Sequence, residues 1–192
     1  MPEETENRNI SRRTIIATAA LVPVAAIKSA AQASDSVFSQ TQLRTLTAFA
    51  DRLVPKDELG PSASECGAAV YIDRALAGPL AAEKASFLAG LDSVDDFARK
   101  AHGAPLAELA PDKQDEVLVG IEKSSRALFA RVRRLTLEGV FSDPYYGGNK
   151  GFAGWDLIRY PGPRLAVSAD EQKMRVAVKP VHVSAWGNNH GH

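Results

Sequence analysis

The chain has 192 residues, of which 45% are hydrophobic and 24% are charged, and its 23 basic and 23 acidic side chains give a formal net charge of zero. This balance is typical of a soluble protein that buries one modest core. A chain without excess positive charge has no general electrostatic attraction to nucleic acid or anionic lipid, so no nucleic-acid partner is expected.

The N-terminal segment differs in character from the rest of the chain. A polar start is followed by Arg12 and Arg13, then by an apolar run from Ile15 to Ile27, Lys28 and a small-residue pattern that ends at Ala33. This order of charged, apolar and small residues is that of an export signal. The arginine pair before an alanine-rich apolar run indicates a twin-arginine signal, with cleavage after Ala33.

Two other interpretations of this segment stay open, an ordinary secretory signal and an uncleaved anchor. The apolar run is shorter than the roughly 20 residues that span a bilayer core, which favours a cleaved signal. The twin-arginine pathway carries proteins that are already folded, usually with a cofactor inserted. The rest of this chain has no evident place for a large cofactor. We therefore expect the signal to carry a second protein, bound to this chain, through the twin-arginine translocase.

Five helices are predicted next, each from apolar residues at three- and four-residue spacing. The first is predicted over Gln40 to Val54. The second starts at a capping box of Ser62 and Glu65 and ends at Gly78, and the third runs from about Ala81 to Ala101. The fourth starts at Pro111 and the fifth at Ser124 or Ser125. A continuous helix through Gly120 is the alternative for the last two. The pattern predicts an all-α fold, in which a small helical bundle occupies residues 34–140 after a signal at residues 1–33.

Residues 141–192 form a segment of another kind, rich in glycine and aromatic side chains. Six of the thirteen aromatic residues of the chain lie between positions 141 and 160. Glycines allow sharp turns and aromatic rings supply large apolar area, whereas disordered linkers contain few aromatic residues. We therefore expect a long irregular segment that packs on the bundle and docks a partner.

The chain resembles a known family in two stretches. The first is helical and comprises Thr47–Pro55 and Gly67–Asp73, and the second, more specific one comprises Phe141–Asn149 and continues through Gly154 and Trp155. Both stretches are similar to the gluconate 2-dehydrogenase subunit 3 family, the small subunit of membrane-associated flavin dehydrogenases for sugars and sugar acids.

This resemblance implies a complex of three kinds of subunit. A large subunit binds FAD and oxidises the sugar or sugar acid, and a multihaem c-type cytochrome passes the electrons to quinone. The resemblance implies no cofactor and no catalytic residue in the small subunit itself. The expected role is export, maturation and stabilisation of the flavin subunit, in the periplasm and associated with the inner membrane through the complex.

The remaining motifs of the chain indicate no catalytic or cofactor chemistry. The chain contains neither a Gly-x-Gly-x-x-Gly motif nor a Cys-x-x-Cys-His motif, so a dinucleotide site and covalent haem are not predicted. The run Gly147–Lys150 lacks the ending of a phosphate loop and is interpreted as a turn. A structural place at a helix end is expected for His102, and no metal site is predicted at His182, His190 and His192.

Cys66 is the only cysteine of the chain, and two interpretations of it stay open. One is a buried, small apolar side chain, and the other is a disulfide to another subunit of an exported complex. The predicted position is the first turn of the second helix, where backbone amides would lower the pKa of an exposed thiol.

Partner binding is predicted for Tyr145, Tyr146 and Trp155, together with Arg131 and Arg134, because Tyr, Trp and Arg dominate the binding energy of interfaces. For the arginines, a solvated surface is the alternative. Two other functions also stay open. One is a free-standing periplasmic sugar-binding protein or enzyme that uses the aromatic rings as a platform, and the other is an uncleaved, membrane-tethered scaffold.

Overall fold

Helices make up most of the computed structural model, which describes residues 36–164, 166–173 and 179–187. The α-helices in these ranges are α1 (Gln40–Leu53), α2 (Ala68–Ala77), α3 (Lys84–His102), α4 (Pro111–Ser124), α5 (Arg126–Phe141) and α6 (Ala153–Leu157). Single turns of 3₁₀-helix lie at Ala81–Glu83, Leu106–Glu108, Pro144–Tyr146 and Lys150–Phe152. The described ranges contain no β-strand, so the predicted all-α fold is confirmed. The predicted signal segment, with Arg12, Arg13 and Ala33, lies outside them.

Helix α1 begins at a capping box that the sequence analysis did not identify. The backbone N–H of Gln42 donates to Ser39 Oγ at 3.2 Å, and the N–H of Ser39 donates to Gln42 Oε1 at 3.1 Å. These bonds satisfy two backbone donors that have no partner within the helix. The buried face of α1 carries Leu46 and Phe49, while Leu43, at the edge of the predicted apolar face, is 37% exposed.

Helix α2 begins later than the capping-box pattern predicted. Ser62 and Glu65 do exchange hydrogen bonds, with the N–H of Ser62 donating to Glu65 Oε2 at 3.0 Å. These bonds close a turn rather than a helix, because Gly67 then adopts a left-handed φ of 79° that ends the turn before Ala68. The predicted place of Cys66 in the first turn of the helix was therefore wrong.

Helices α4 and α5 are separate, which excludes the continuous helix through Gly120. The break lies at Ser125, whose φ of −138° and ψ of 55° are not helical. Gly120 has a packing role instead, since a Cβ at this position would overlap the ring of Phe97 on α3.

The main core lies between α1, α2, α3, α4 and α5. Its larger fully buried side chains are Leu46, Phe49, Ile72, Leu76, Phe87, Leu91, Val94, Leu106, Val117, Val132 and Leu135. Each buried Leu, Ile, Val or Phe side chain contributes about 1.5–3 kcal/mol relative to an exposed one, so this cluster stabilises the bundle. No helix within the described ranges is both long and apolar enough to cross a membrane.

A smaller core cluster lies where α2 meets the end of α5. It contains Ala50, Ala63, Cys66, Ala68 and Val140. The two helices approach so closely that a Cβ at Gly139 would lie 2.8 Å from Ala68 Cα. Small side chains at this crossing allow the chain after α5 to turn back across α2. This turn places residues 141–162, which we call the aromatic segment.

Candidate functional site

Asn149 fastens the aromatic segment to the end of α5. Its side chain is fully buried, and its φ of 46° is left-handed, a conformation that asparagine tolerates better than most residues. The Asn149 N–H donates to the carbonyl of Gly139 at 2.7 Å, and its Nδ2 donates to the carbonyl of Ser142 at 2.8 Å. Its Oδ1 accepts the N–H of Gly154 at 2.8 Å. One residue thus joins the last turn of α5 to the first turn of α6.

Two glycines make this close approach possible. A Cβ at Gly148 would overlap the carbonyl group of Gly139, and a Cβ at Gly154 would overlap that of Val140. Neither clash would be with a flexible side chain, so the neighbours have little freedom to move aside. The Gly147–Lys150 run is therefore a structural turn of this site, and its Lys150 N–H donates to the carbonyl of Cys66 at 2.9 Å.

Trp155 supports the aromatic segment from below. Its side chain is 4% exposed, and its indole N–H donates to the carbonyl of Phe141 at 2.9 Å. The ring lies 5.2 Å from that of Phe152 and 5.0 Å from that of Tyr160. A partner that docks on this surface would therefore meet little of Trp155, and any contribution of this residue to docking would be through the rings that it supports.

Three other rings point outward and adjoin one another, and we call them the aromatic ridge. Tyr145 and Tyr146 are each 44% exposed, with ring centroids 5.3 Å apart, and Trp186 is 62% exposed and lies 5.8 Å from Tyr145. Trp186 was missed by the sequence analysis. Its distance along the chain hides the contact, and the only available signal was its status as one of two tryptophans.

Two hollows adjoin the ridge, the first at Trp186 and the second at Tyr145 and Tyr146. The first hollow, of about 370 Å³, is lined by Phe141, Asp143, Trp155, Ile158, Tyr160, Pro163, Ala185 and Trp186. The second hollow, of about 390 Å³, is lined by Tyr71, Arg74, Ala75, Pro79, Tyr145 and Tyr146. Both linings are mainly apolar, which is the arrangement that receives bulky side chains of a partner at an interface.

Asp143 holds two parts of the ridge together. Its Oδ1 accepts the N–H of Tyr145 at 2.9 Å, and its Oδ2 accepts the N–H of Ala185 at 2.8 Å. The first bond caps the 3₁₀ turn that carries Tyr145 and Tyr146, and the second fixes the residue before Trp186. The carboxylate of Asp143 therefore organises the backbone of this surface.

The two predicted arginines form ion pairs on the surface of α5. Arg131 Nε lies 3.3 Å from Glu83 Oε2, and Arg134 Nη1 lies 3.4 Å from Glu138 Oε1. Glu138 Oε2 also accepts the O–H of Tyr71 at 2.9 Å, so Arg134 lies beside the second hollow. Partner binding by both arginines stays a prediction.

Cys66 is fully buried in the small core cluster. Burial raises the pKa of its thiol above the usual value, and the nearby carboxylates of Glu65 and Asp51 raise it further. The thiol thus lies out of reach of another chain in this conformation, and a disulfide to another subunit would require the turn around Cys66 to open.

The histidines have structural contacts where they are described. His102 Nε2 lies 3.6 Å from Glu116 Oε2 at the end of α3, and the ring of His182 stacks on Phe152. His190 and His192 lie outside the described residues. Among the residues that the structure describes, no three His, Cys, Asp or Glu side chains gather to hold a metal ion.

Comparison with known proteins places residues 40–162 in one family. A family model described as gluconate 2-dehydrogenase subunit 3 matches residues 40–162. The chain belongs to the gluconate 2-dehydrogenase subunit 3 family. The match confirms the resemblance seen in the sequence, and it makes the chain a subunit of a dehydrogenase complex. The matched range ends before Ala185 and Trp186. No curated protein and no solved structure gives a significant match.

Replacing Asn149 tests its role in this subunit 3 chain. We expect Asn149→Ala to lower the free energy of unfolding by about 3–4 kcal/mol, because it removes two buried hydrogen bonds and strains a left-handed residue. Glycine adopts a left-handed φ without strain. Asn149→Gly should therefore lower the free energy of unfolding by about 1–2 kcal/mol less than Asn149→Ala does. Urea unfolding measures both, with Lys150→Ala as the exposed control. Equal effects of Asn149→Ala and Lys150→Ala would contradict this role.

The hydroxyl group of Tyr71 is expected to lose its proton at a higher pH than an ordinary tyrosine does. Burial and the adjacent Glu138 carboxylate raise its pKa from 10 to about 12. In the unfolded chain the Tyr71 hydroxyl loses its proton at a lower pH than in the folded chain. The stabilisation that protonated Tyr71 gives the folded state should therefore be complete below pH 10 and lost as the pH rises to about 12. Phenolate absorbance of the wild type minus that of Tyr71→Phe measures the pKa. A difference titration centred near the ordinary tyrosine value would refute the expectation.

Proposed function

We propose that this chain is the non-catalytic small subunit of a periplasmic, FAD-dependent gluconate or sugar dehydrogenase complex. Its task is to bind and stabilise the flavin subunit during maturation and export. The family match supports a place in a dehydrogenase complex. The observation that carries the docking role is the aromatic ridge, which presents three adjoining rings to solvent on a tightly fastened backbone.

The ridge suits a protein interface for energetic reasons. Large exposed aromatic rings gain free energy when a partner removes them from water, and Tyr and Trp are among the residues that most often dominate binding. The buried hydrogen bonds of Asn149 fasten the loop that follows the tyrosines, so little backbone freedom would be lost on association. The two hollows beside the ridge offer places for side chains of the partner.

The carboxylates of the aromatic segment also fit a structural role. Asp143 accepts two backbone N–H groups, and Asp156 Oδ1 lies 2.8 Å from His182 Nε2. These contacts use the acidic groups to hold the surface together. We therefore propose that FAD and the oxidation of the sugar belong to the large subunit, and that haem c belongs to a multihaem cytochrome subunit.

The proposed role includes export of the flavin subunit together with this chain. The Arg12–Arg13 pair and the apolar run after it support recognition by the twin-arginine translocase. A partner that is folded with its flavin would then cross the membrane while bound to this chain. The mature complex would stay in the periplasm, associated with the inner membrane through the cytochrome.

The docking role is tested by replacing the two tyrosines. We expect the double variant Tyr145→Ala and Tyr146→Ala to bind the co-expressed large subunit about 100-fold less tightly, since two exposed anchors are lost. Val119→Ala, which shortens an exposed apolar side chain on α4, should change the affinity less than twofold. Affinity is measured by titration of the purified subunits. Wild-type affinity of the tyrosine variant would contradict the docking role.

The export role is tested separately in the cell. We expect Arg12→Lys with Arg13→Lys to leave both this chain and the co-expressed large subunit in the cytoplasm, because one signal serves both. Fractionation followed by immunodetection of each subunit measures this. Arg8→Lys, the same substitution outside the arginine pair, serves as the control and should leave the export of both subunits normal. Normal periplasmic levels of the large subunit in the arginine variant would rule out the escort role.

A further inference from the structure

The helices α4 and α5 carry opposite charges, although the chain as a whole has a formal net charge of zero. Helix α4 contains four acidic and two basic side chains, whereas α5 contains four arginines and one glutamate. The two helices follow one another in the chain and pack against each other. The molecule therefore has an acidic surface and a basic surface on neighbouring helices.

The acidic strip of α4 has an apolar side chain among its carboxylates. Asp112, Val119 and Glu122 are all exposed, Val119 by 48%. Separations of seven and three residues place them on one face of the helix. Neither Asp112 nor Glu122 forms an ion pair with a basic group in the part of the chain that the structure describes. The other acidic side chains of α4 are engaged, Asp115 with Arg52 and Glu116 with Lys113 and His102.

The basic strip of α5 has a small side chain between two arginines. Arg126, Ala130 and Arg133 are exposed, and their separations of four and three residues place them on one face. The two guanidinium groups have no ion-pair partner within the described ranges. They differ in this from Arg131 and Arg134, which pair with carboxylates of the same chain. We call these two strips together the charged face.

The opposite charges of the charged face are not used within one molecule. Although α4 packs against α5, none of the ion pairs between described residues joins the two helices. Val119 is likewise left with about half of its surface in water. The charged face thus keeps two carboxylates, two guanidinium groups and one valine side chain for contacts outside the chain.

We propose that the charged face is the interface of a homodimer, in which α4 of each copy lies on α5 of the other. A two-fold axis makes the same patch of both copies face itself, so the patch has to be complementary to itself. Two strips of opposite charge on neighbouring helices meet this condition. This inference goes beyond the docking role and does not rest on it.

The side chains of the two strips suit each other chemically. A guanidinium group donates two parallel hydrogen bonds to a carboxylate, so Arg126 and Arg133 match Asp112 and Glu122 of the second copy. The small side chain of Ala130 lets a second helix approach closely. Val119 of the second copy would then lie against Ala130 and lose its contact with water, which adds an apolar contribution.

The size of the charged face indicates a weak dimer. Helices of 14 and 16 residues are about 21 and 24 Å long. Two such helices side by side offer about 400 Å² per copy, which is at the small end of specific interfaces. We therefore expect a dissociation constant of about 10 µM that rises with salt, because exposed ion pairs are screened.

A second copy fits the charged face better than a polyanion does. The acidic strip on α4 would repel anionic lipid or nucleic acid that approached the arginines of α5. A second copy offers a carboxylate to each arginine and an arginine to each carboxylate.

Charge reversal tests the interface in the full chain. We expect the wild type to dimerise, and Arg126→Glu with Arg133→Glu to weaken the dimer at least about 30-fold, because like charges then face each other. Asp112→Arg with Glu122→Arg should do the same. Val119→Ala should weaken the dimer about 5-fold through the lost apolar contact. Sedimentation equilibrium measures each dissociation constant, and circular dichroism checks that every variant is folded.

Mixing the two reversed variants is the decisive measurement. The variant with acidic α5 retains its acidic α4, and the variant with basic α4 retains its basic α5. Each strip of one variant is therefore complementary to a strip of the other, so an equimolar mixture should dimerise with an affinity close to that of the wild type. A chain that carries all four substitutions should also dimerise. A mixture that stays monomeric while the wild type dimerises would overturn the proposed pairing of α4 with α5.

The control reverses the same number of positive charges elsewhere. Lys150→Glu with Lys179→Glu lies outside both helices, and it should leave the dissociation constant within about twofold, since only contacts at the interface are sensitive to charge reversal. An equal loss in this control would show a general effect of net charge and contradict the proposal. So would a wild type that stays monomeric up to about 200 µM, far above the expected dissociation constant.

Two further outcomes separate this interface from other partners. The variant with Tyr145→Ala and Tyr146→Ala should dimerise like the wild type. Loss of dimerisation in that variant alone would assign the contact to the aromatic ridge and refute the charged face. Binding to phosphatidylglycerol vesicles that Arg126→Glu with Arg133→Glu abolishes, without any dimer of the wild type, would replace the second copy by a lipid surface. None of these results depends on the large subunit, so the docking role stands or falls separately.

Discussion

The aromatic segment of this molecule depends on the buried hydrogen bonds of one side chain. Asn149 is fully buried, left-handed in φ, and bonded through its backbone and side chain to both ends of the segment it fastens. A buried amide that lost these partners would carry an unfavourable desolvation free energy, so the segment has one strongly preferred path. Gly148 and Gly154 allow that path, because any side chain there would meet backbone atoms.

Because the backbone path is so constrained, neighbouring aromatic residues have different roles. Trp155 packs beneath the segment and supports it, whereas Tyr145 and Tyr146 lie on the turn that precedes Asn149 and face outward. Exposed rings on a mobile loop would lose conformational freedom on binding, but rings on a fastened loop lose less. The same constraint gives the Asp143 carboxylate a fixed position, from which it also fastens the chain before Trp186.

The errors of the sequence analysis have specific physical causes. The Ser62–Glu65 pattern predicted a helix start, but its hydrogen bonds close a turn. Gly67 has a left-handed φ that ends this turn, and Asp51 on α1 accepts hydrogen bonds from Ser64 within it. Trp186 was overlooked because its contact with Tyr145 joins positions far apart in the chain. Capping patterns describe neighbours in sequence, and they do not register a competing partner from another helix.

The all-α class, the order of the helices and the family could be read from the amino-acid sequence alone, because helical periodicity and turn residues are local signals and the aromatic and glycine residues form a specific pattern. The density of rings also predicted that residues 141–160 pack as a fixed loop, and in the structure Trp155 of this stretch is buried. The exposure of individual side chains is known only from the folded chain, in which Trp155 is buried, Tyr145 and Trp186 are exposed, and Cys66 lies inside a core cluster. Side-chain exposure depends on contacts between distant segments, and spacing along the chain does not encode these contacts.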